Sequence, residues 1–308
     1  MANLYWSIYK NLEYEVLSLA KLIHFDDNQL SVYSVRIADL LIRCAVEIEA
    51  ISKDLYEKNG GNMVDDDGKE KQLLFDADCL NFLEDKWRLG KKQICIISMD
   101  SYFENEENKV LTPLHKANIR GKCDWKKAYQ AVKHNRSKNL QKASIKHLLR
   151  ALAALYLLNI YNKADSPILL GKTQKLSDLT FGSKIFTATS TSYTSEFPYK
   201  EIILDDNALS ATYIIKQTNE SYRNYYDEVK MGFDKQKNIL FTSGYERRTN
   251  EDEGYEDIEY SELYRIAAEF GGSDLVQKVS NAETKSKAVN FLQYEAVLNK
   301  NPVIRFTP

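Results

Sequence analysis

The chain has 308 residues, of which 44% are hydrophobic and 28% charged, with a formal net charge of −2. It is long enough to bury a sizeable core as one large or two ordinary domains, and too apolar to be a disordered chain. The near-neutral balance excludes any global argument for nucleic acid or membrane, so such a preference has to come from local patterning.

Leu4 to His24 spaces Leu4, Ile8, Leu12, Val16, Leu19 and Ile23 three to four residues apart, which predicts an amphipathic helix broken by Asp26-Asp27-Asn28. A second helix is predicted from Gln29 to Lys58, stopped at Asn59-Gly60-Gly61. Most of its surface is apolar. Arg36, Asp39, Arg43, Glu47 and Asp54, however, fall within about 80° of one another on a helical wheel. Asp39–Arg43 and Arg43–Glu47 pairs can close that polar stripe internally.

Asn62 to Lys71 reads as a loop, whose Asp65-Asp66-Asp67-Gly68 lacks the alternating ligands and distal Glu of a calcium site. Helix resumes from about Asp76 to Trp87, followed by a short strand at Gln93–Ser98 and a loop at Glu104–Lys109. Helices at Asp124–Asn135 and Leu140–Lys163 complete this half. The most apolar stretch, Leu148–Ile160, is interrupted by Arg150 and is too short to span a bilayer.

Beyond Asp165-Ser166-Pro167 the character changes. β-Branched and aromatic residues between turn signals predict strands at Lys184–Thr191, Tyr199–Leu204, Ala211–Lys216 and Ile239–Thr242, with a helix at Asn219–Lys230. The run Glu251–Glu262 carries seven carboxylates without ligand spacing and reads as a solvated loop. Ser261 caps a helix to Phe270, Gly271-Gly272 stops it, and two helical stretches lead to Asn299. The predicted fold is α+β: an N-terminal helical bundle over residues 1–164 and a smaller mixed α/β domain of unknown type over residues 165–308.

Cys44, Cys79, Cys95 and Cys123 are scattered, without the paired spacing of a zinc site, and read as reduced thiols. The N-terminus carries no basic start followed by an apolar run. Together these features predict a cytoplasmic protein with no membrane partner, no metal and no cofactor.

The most informative stretch is His115–Arg150, which holds eleven Lys or Arg against one acid, Asp124. Such a tract attracts polyanions with salt-dependent affinity, unless it is simply a solvated helix face. Trp125, Ala128, Tyr129 and Val132 form one apolar face, and Arg136 continues it about 20° from Trp125 if the helix runs on. An Arg there needs a carboxylate, for which the acids of the 36–47 stripe are candidates. His134 projects nearly the opposite way, so the two meet one substrate atom only if the helix ends at Asn135 or a second subunit contributes.

Trp125, Tyr129 and Lys133-His134-Asn135-Arg136, leading into Leu148-Leu149-Arg150-Ala151-Leu152-Ala153, resemble the terminal helix pair of bacterial HEPN-like proteins. The helix with Arg36 and Glu47 is similar to the other helix of their core, and the resemblance covers about residues 5–163. It implies a helical bundle that forms a homodimer or docks a protein partner. It also implies an RNA-binding or metal-independent RNA-cleaving activity in a bacterial defence or toxin-type system. Catalytic members carry an Arg followed four to six residues later by His on one helix; here the order is His-Asn-Arg.

If RNA is cleaved, His134 is the natural acid or base, since an unperturbed imidazole titrates near about 6.5. Arg136 and Lys133 would hold phosphate, with Lys126, Lys127 and Lys138 as further phosphate contacts. Asn135 would orient phosphate or the imidazole, and Tyr129 would stack a base or donate a hydrogen bond. Arg36, Asp39, Arg43 and Glu47 would support the site as a polar stripe. The alternative is a non-catalytic helical adaptor whose basic tract only binds a partner. A phosphate-handling site in the C-terminal half is a third reading.

Overall fold

The computed structural model describes residues 4–65, 67–163, 166–173, 178–193, 201–245 and 260–305. Asp66, the first residues of the strand expected at Tyr199–Leu204, and most of the acidic run Glu251–Glu262 lie outside them. In chain order the first part contains α1 (Leu4–Ala20), β1 (Phe25–Asp26), α2 (Val35–Lys58), α3 (Asn81–Trp87), β2 (Ile94–Ile96), β3 (Ser101–Tyr102), α4 (Glu106–Lys109) and β4 (Val110–Leu111). Then come α5 (Asp124–His134), α6 (Arg136–Asn139) and α7 (Ile145–Tyr161). The remainder is β5 (Ile168–Gly171), β6 (Phe186–Ala188), β7 (Ser190–Ser192), β8 (Glu201–Ile203), α8 (Asp206–Ser210), β9 (Tyr213–Gln217), α9 (Asn219–Thr242), α10 (Tyr260–Asn281), α11 (Lys285–Ala288), β10 (Tyr294–Leu298) and β11 (Val303–Arg305). The fold is thus α+β, with helices first and most of the sheet later. None of the helices is long and apolar enough to cross a membrane among the described residues.

Helix α7 is the central element. Fourteen of its seventeen residues are buried, because Leu and Ala occupy every face rather than one stripe. It packs against α2, α1 and α5. Helix α2 starts later than its periodicity predicts, at a Ser34 cap whose hydroxyl accepts from the Ile37 amide at 3.2 Å. A π-helical turn, Phe75–Leu80, leads directly into α3 and lies against α2.

The main sheet has the order β5-β10-β9-β7, with β10 antiparallel to both neighbours and β7 parallel to β9. A three-stranded antiparallel sheet, β4-β2-β6, joins strands from both sides of the position near 165 where the sequence changes character. The principal hydrophobic core crosses it as well, running from Tyr9, Ile48 and Leu152 through Phe186 to Ile215 and Tyr294. A smaller cluster forms between α9 and α10 around Leu240, Leu263, Ala267 and Val279.

Several predicted elements need correction: Glu104–Lys109, read as a loop, carries the short helix α4, and Lys184–Thr191, read as one strand, divides between β6 and β7 in different sheets. Ile239–Thr242 is the last turn of α9, not a strand. A short apolar run does not distinguish the two states, and here Leu240 completes a helical face that packs on Leu263. Tyr294–Leu298, read as helix, is the strand at the sheet's centre. The last helix of the first half begins at Ile145 rather than Leu140, after a 3-10 turn. The stop at Gly271-Gly272 does interrupt α10, where Gly272 takes φ 63° and ψ −157°, a conformation open essentially to glycine alone.

Candidate functional site

Helix α5 carries the basic tract and has two uses for its side chains. Its inner face is core: Trp125, Ala128, Tyr129 and Val132 are all buried, and the Trp125 indole N–H donates to the Pro113 carbonyl at 2.8 Å. Its outer face carries Lys127, Gln130, Lys133 and His134, spaced three, four and seven apart, and lines a groove of about 870 Å³. Glu49 and Lys53, one turn apart on α2, form the second side. The π-helical turn with Phe75 and Asp76, and Arg120-Gly121, complete it. Gly121, at φ 67°, is where the chain bends into α5.

Electrostatically the groove is positive. Lys53, Arg120 and Lys127 are exposed and have no ion-pair partner among the described residues. Lys126 is different. It is almost wholly buried, paired with Asp76 at 2.9 Å and donating to the Ala117 and Ile119 carbonyls. Its three N–H donors are thereby used, so the expected phosphate contact by Lys126 is corrected to a structural tether.

Tyr129 is only 1% exposed, so its ring is not available to stack a base. Its hydroxyl donates to Glu49 Oε1 at 3.1 Å, and Lys133 Nζ lies 5.2 Å from its ring centroid. Burial pushes the Tyr129 phenol up, partly opposed by its hydrogen bond with Lys133; that same bond raises Lys133. Lys133 stays charged and at the groove rim.

The helix ends at Asn135, one of the two conditions under which His134 and Arg136 could meet one substrate atom, but the two are not brought together in the groove. Asn135 leaves helical geometry (φ −151°, ψ 80°), and Arg136 starts α6 in a new direction. The Asn135 side chain accepts from the Lys138 amide at 3.2 Å and from Ser137 Oγ at 3.0 Å, so it caps α6 instead of reaching for phosphate. Arg136 bonds Asp39 of α2 at 2.7 Å, the carboxylate partner expected from the stripe, but both side chains are about half exposed rather than interior. Lys138 is exposed on α6. Of the predicted site residues, Lys126, Lys127, Lys133 and His134 line the groove; Asn135, Arg136 and Lys138 are not among its lining residues.

The stripe on α2 does not close on itself. Arg43 bonds Glu15 of α1 at 2.5 Å and Asp39 is taken by Arg136. Arg36 is exposed, and Glu47, with Asp54, contributes to raising the Tyr5 phenol to about 12, behind the effect of its burial. Inter-helix partners, Glu15 of α1 and Arg136 of α6, thus stand in place of the expected Asp39–Arg43 and Arg43–Glu47 pairs.

Glu49, Lys53 and Arg120 were not singled out by the sequence pattern. A usable signal existed for the first two, an i,i+4 Glu–Lys pair on a core helix; Arg120 lies in a loop, where spacing carries no geometry. Among the described residues, no group of three or more His, Cys, Asp or Glu is arranged to hold a metal ion. Comparison with protein-family models, characterised proteins and solved structures gives no match to the chain.

Proposed function

We propose that the protein is a HEPN-like RNA-binding protein of a bacterial defence or toxin-type system, cleaving RNA by a metal-independent route. The observation that carries this reading is the groove between α2 and α5. Lys53, Arg120, Lys127 and Lys133 converge there with an exposed imidazole, His134. A positive groove draws the phosphate backbone, and an imidazole can give or take a proton within it. Phosphoryl transfer within RNA uses the adjacent 2′-hydroxyl as nucleophile, so cations and a proton donor are enough to assist it. The helical bundle would supply the dimer contact.

Pure protein with total RNA and excess EDTA is the test. Cleavage should persist in EDTA and fall at least about 10²-fold in His134→Ala, the lower range for a lost general acid or base. Intact RNA in every condition sinks the cleavage reading.

A second reading, a non-catalytic adaptor, is favoured by a different observation. Trp125, Lys126 and Tyr129 spend their side-chain polar atoms on contacts within the chain, Asn135 commits its side-chain oxygen to capping α6, and Arg136 is paired with Asp39. RNA bound in a salt-sensitive manner but left intact is the result that supports it.

A further inference from the structure

Two carboxylates enter the positive groove, and their circumstances differ. Asp76 is neutralised by Lys126. Glu49 has no ion pair among the described residues; its polar contact is the Tyr129 hydroxyl, donating to Oε1 at 3.1 Å. Tyr129 is itself locked in the core, so this hydrogen bond fixes the carboxylate from beneath. Ile48 and Ile51 on either side of Glu49 are fully buried, which anchors that turn of α2. His134 closes the opposite wall at the end of α5, and α5 packs on α2. A carboxylate and an exposed imidazole that line one groove with four cations, neither in an ion pair among the described residues, have the chemistry of a base and an acid flanking a phosphate.

We infer that Glu49 is the general base of this groove and His134 its general acid, acting on RNA that carries a free 2′-hydroxyl beside the scissile phosphate. The inference rests on the RNA-cleaving reading above and goes beyond it by assigning the base. Glu49 accepts the 2′-hydroxyl proton while the 2′-oxygen forms a bond to phosphorus. The bond from phosphorus to the 5′-oxygen breaks, and that oxygen takes its proton from the His134 imidazolium. The products are a 2′,3′-cyclic phosphate and a free 5′-hydroxyl. Both residues then exchange protons with water, so no oxidant, reductant or further reactant enters the balance. Lys53, Arg120, Lys127 and Lys133 carry the phosphate charge, and Tyr129 is a positioning residue that acts through Glu49.

The test uses full-length protein and an RNA oligonucleotide containing a linkage that the wild type cuts. A second copy has that linkage's bridging 5′-oxygen replaced by sulfur, a leaving group that departs without a proton. Glu49→Gln should lower cleavage of the ordinary linkage by about 10²- to 10⁴-fold, the range for general acid–base groups. It should bind the RNA at least as tightly as wild type, since it removes a negative charge from the groove. The sulfur linkage should restore cleavage to His134→Ala and leave Glu49→Gln slow, and a 2′-deoxy residue at the linkage should block all of them. Wild-type speed in Glu49→Gln, or its rescue by sulfur, overturns the assignment while the proposed function stands. No RNA cleavage by the wild type overturns both.

Discussion

Replacing Glu13 by alanine is expected to cost about 1–3 kcal/mol of stability, the range for leaving a buried donor without its acceptor. Glu13 sits on α1, about 1% exposed, and its carboxylate accepts from Tyr9, Ser183, Lys10 and the amides of Lys184 and Ile185. Removing it leaves the Lys184 amide without its acceptor and leaves the Ile185 amide and the Tyr9 hydroxyl only their contacts with Ser183 Oγ, in a water-excluded layer. It also unties the first helix from the segment that leads into β6. Burial alone would push the Glu13 carboxyl up, but the hydrogen bonds from Lys10, Ser183, Lys184 and Tyr9 outweigh it and hold the group below its ordinary range. A carboxyl lowered on folding stabilises the protein above its unfolded titration range, and that contribution is lost as pH falls through the folded value. Urea melts at several pH values check both statements: the alanine variant should unfold at lower urea near neutrality and show a shallower loss of stability in acid. An unchanged midpoint would mean that the cluster adds nothing to the tie between α1 and β6.

The second large effect has the opposite sign. Lys92 is fully buried, its ammonium donating to the Leu209 carbonyl at 2.8 Å, and burial lowers it to about 7 against a smaller opposing pull from Glu84. An unfolded lysine titrates near about 10.4, so between those values the unfolded chain holds a proton that the folded chain has released. Stability therefore rises with pH across that window, at up to about 1.4 kcal/mol per pH unit. Lys92→Met removes the cost of taking the amine out of water and stripping its proton on folding, but leaves the Leu209 carbonyl without its donor, a loss of about 1–3 kcal/mol. The net expectation at pH 7 is a gain of about 1–3 kcal/mol, shrinking by about 2 kcal/mol on going to pH 9. The thiols of Cys44, Cys79 and Cys123, raised by burial to about 12, 11 and 11, pull stability down in alkali. They do so in both proteins and cancel from the difference. A difference that widens with pH would show that Lys92 is charged in the fold.

How far the sequence was legible follows from the range of the interactions involved. Periodicity located α1, α2, α5 and α7 because each buries a face whose spacing is set within a few residues, as with Leu12, Val16 and Leu19. It failed at Tyr294–Leu298 because a strand paired on both sides takes its partners from Ile168–Gly171 and Tyr213–Gln217, far away in the chain. The basic tract was visible as charge, but the termination of α5 at Asn135 does not bring Arg136 to His134 in the groove, because Arg136 is taken by Asp39. What charge counting missed is which cations are already employed. Lys126 and Lys127 are adjacent and chemically identical, yet one is buried on Asp76 and the other faces solvent. About 100° of helix rotation turns Lys126 towards Asp76 of the π-helical Phe75–Leu80 turn and the Ala117 and Ile119 carbonyls, and Lys127 away from them.

The central position of β10 sets an order of events during synthesis. Among the described residues, strand β5 has β10 as its sole neighbour in the main sheet, and β10 also covers an edge of β9. As a nascent chain leaves the ribosome, the helical layer can gather early, while the sheet waits for residues 294–298 to slot between two strands already made. Co-translational assembly therefore finishes late, and a chain halted short of this strand would present two hydrogen-bonding edges to whatever is nearby.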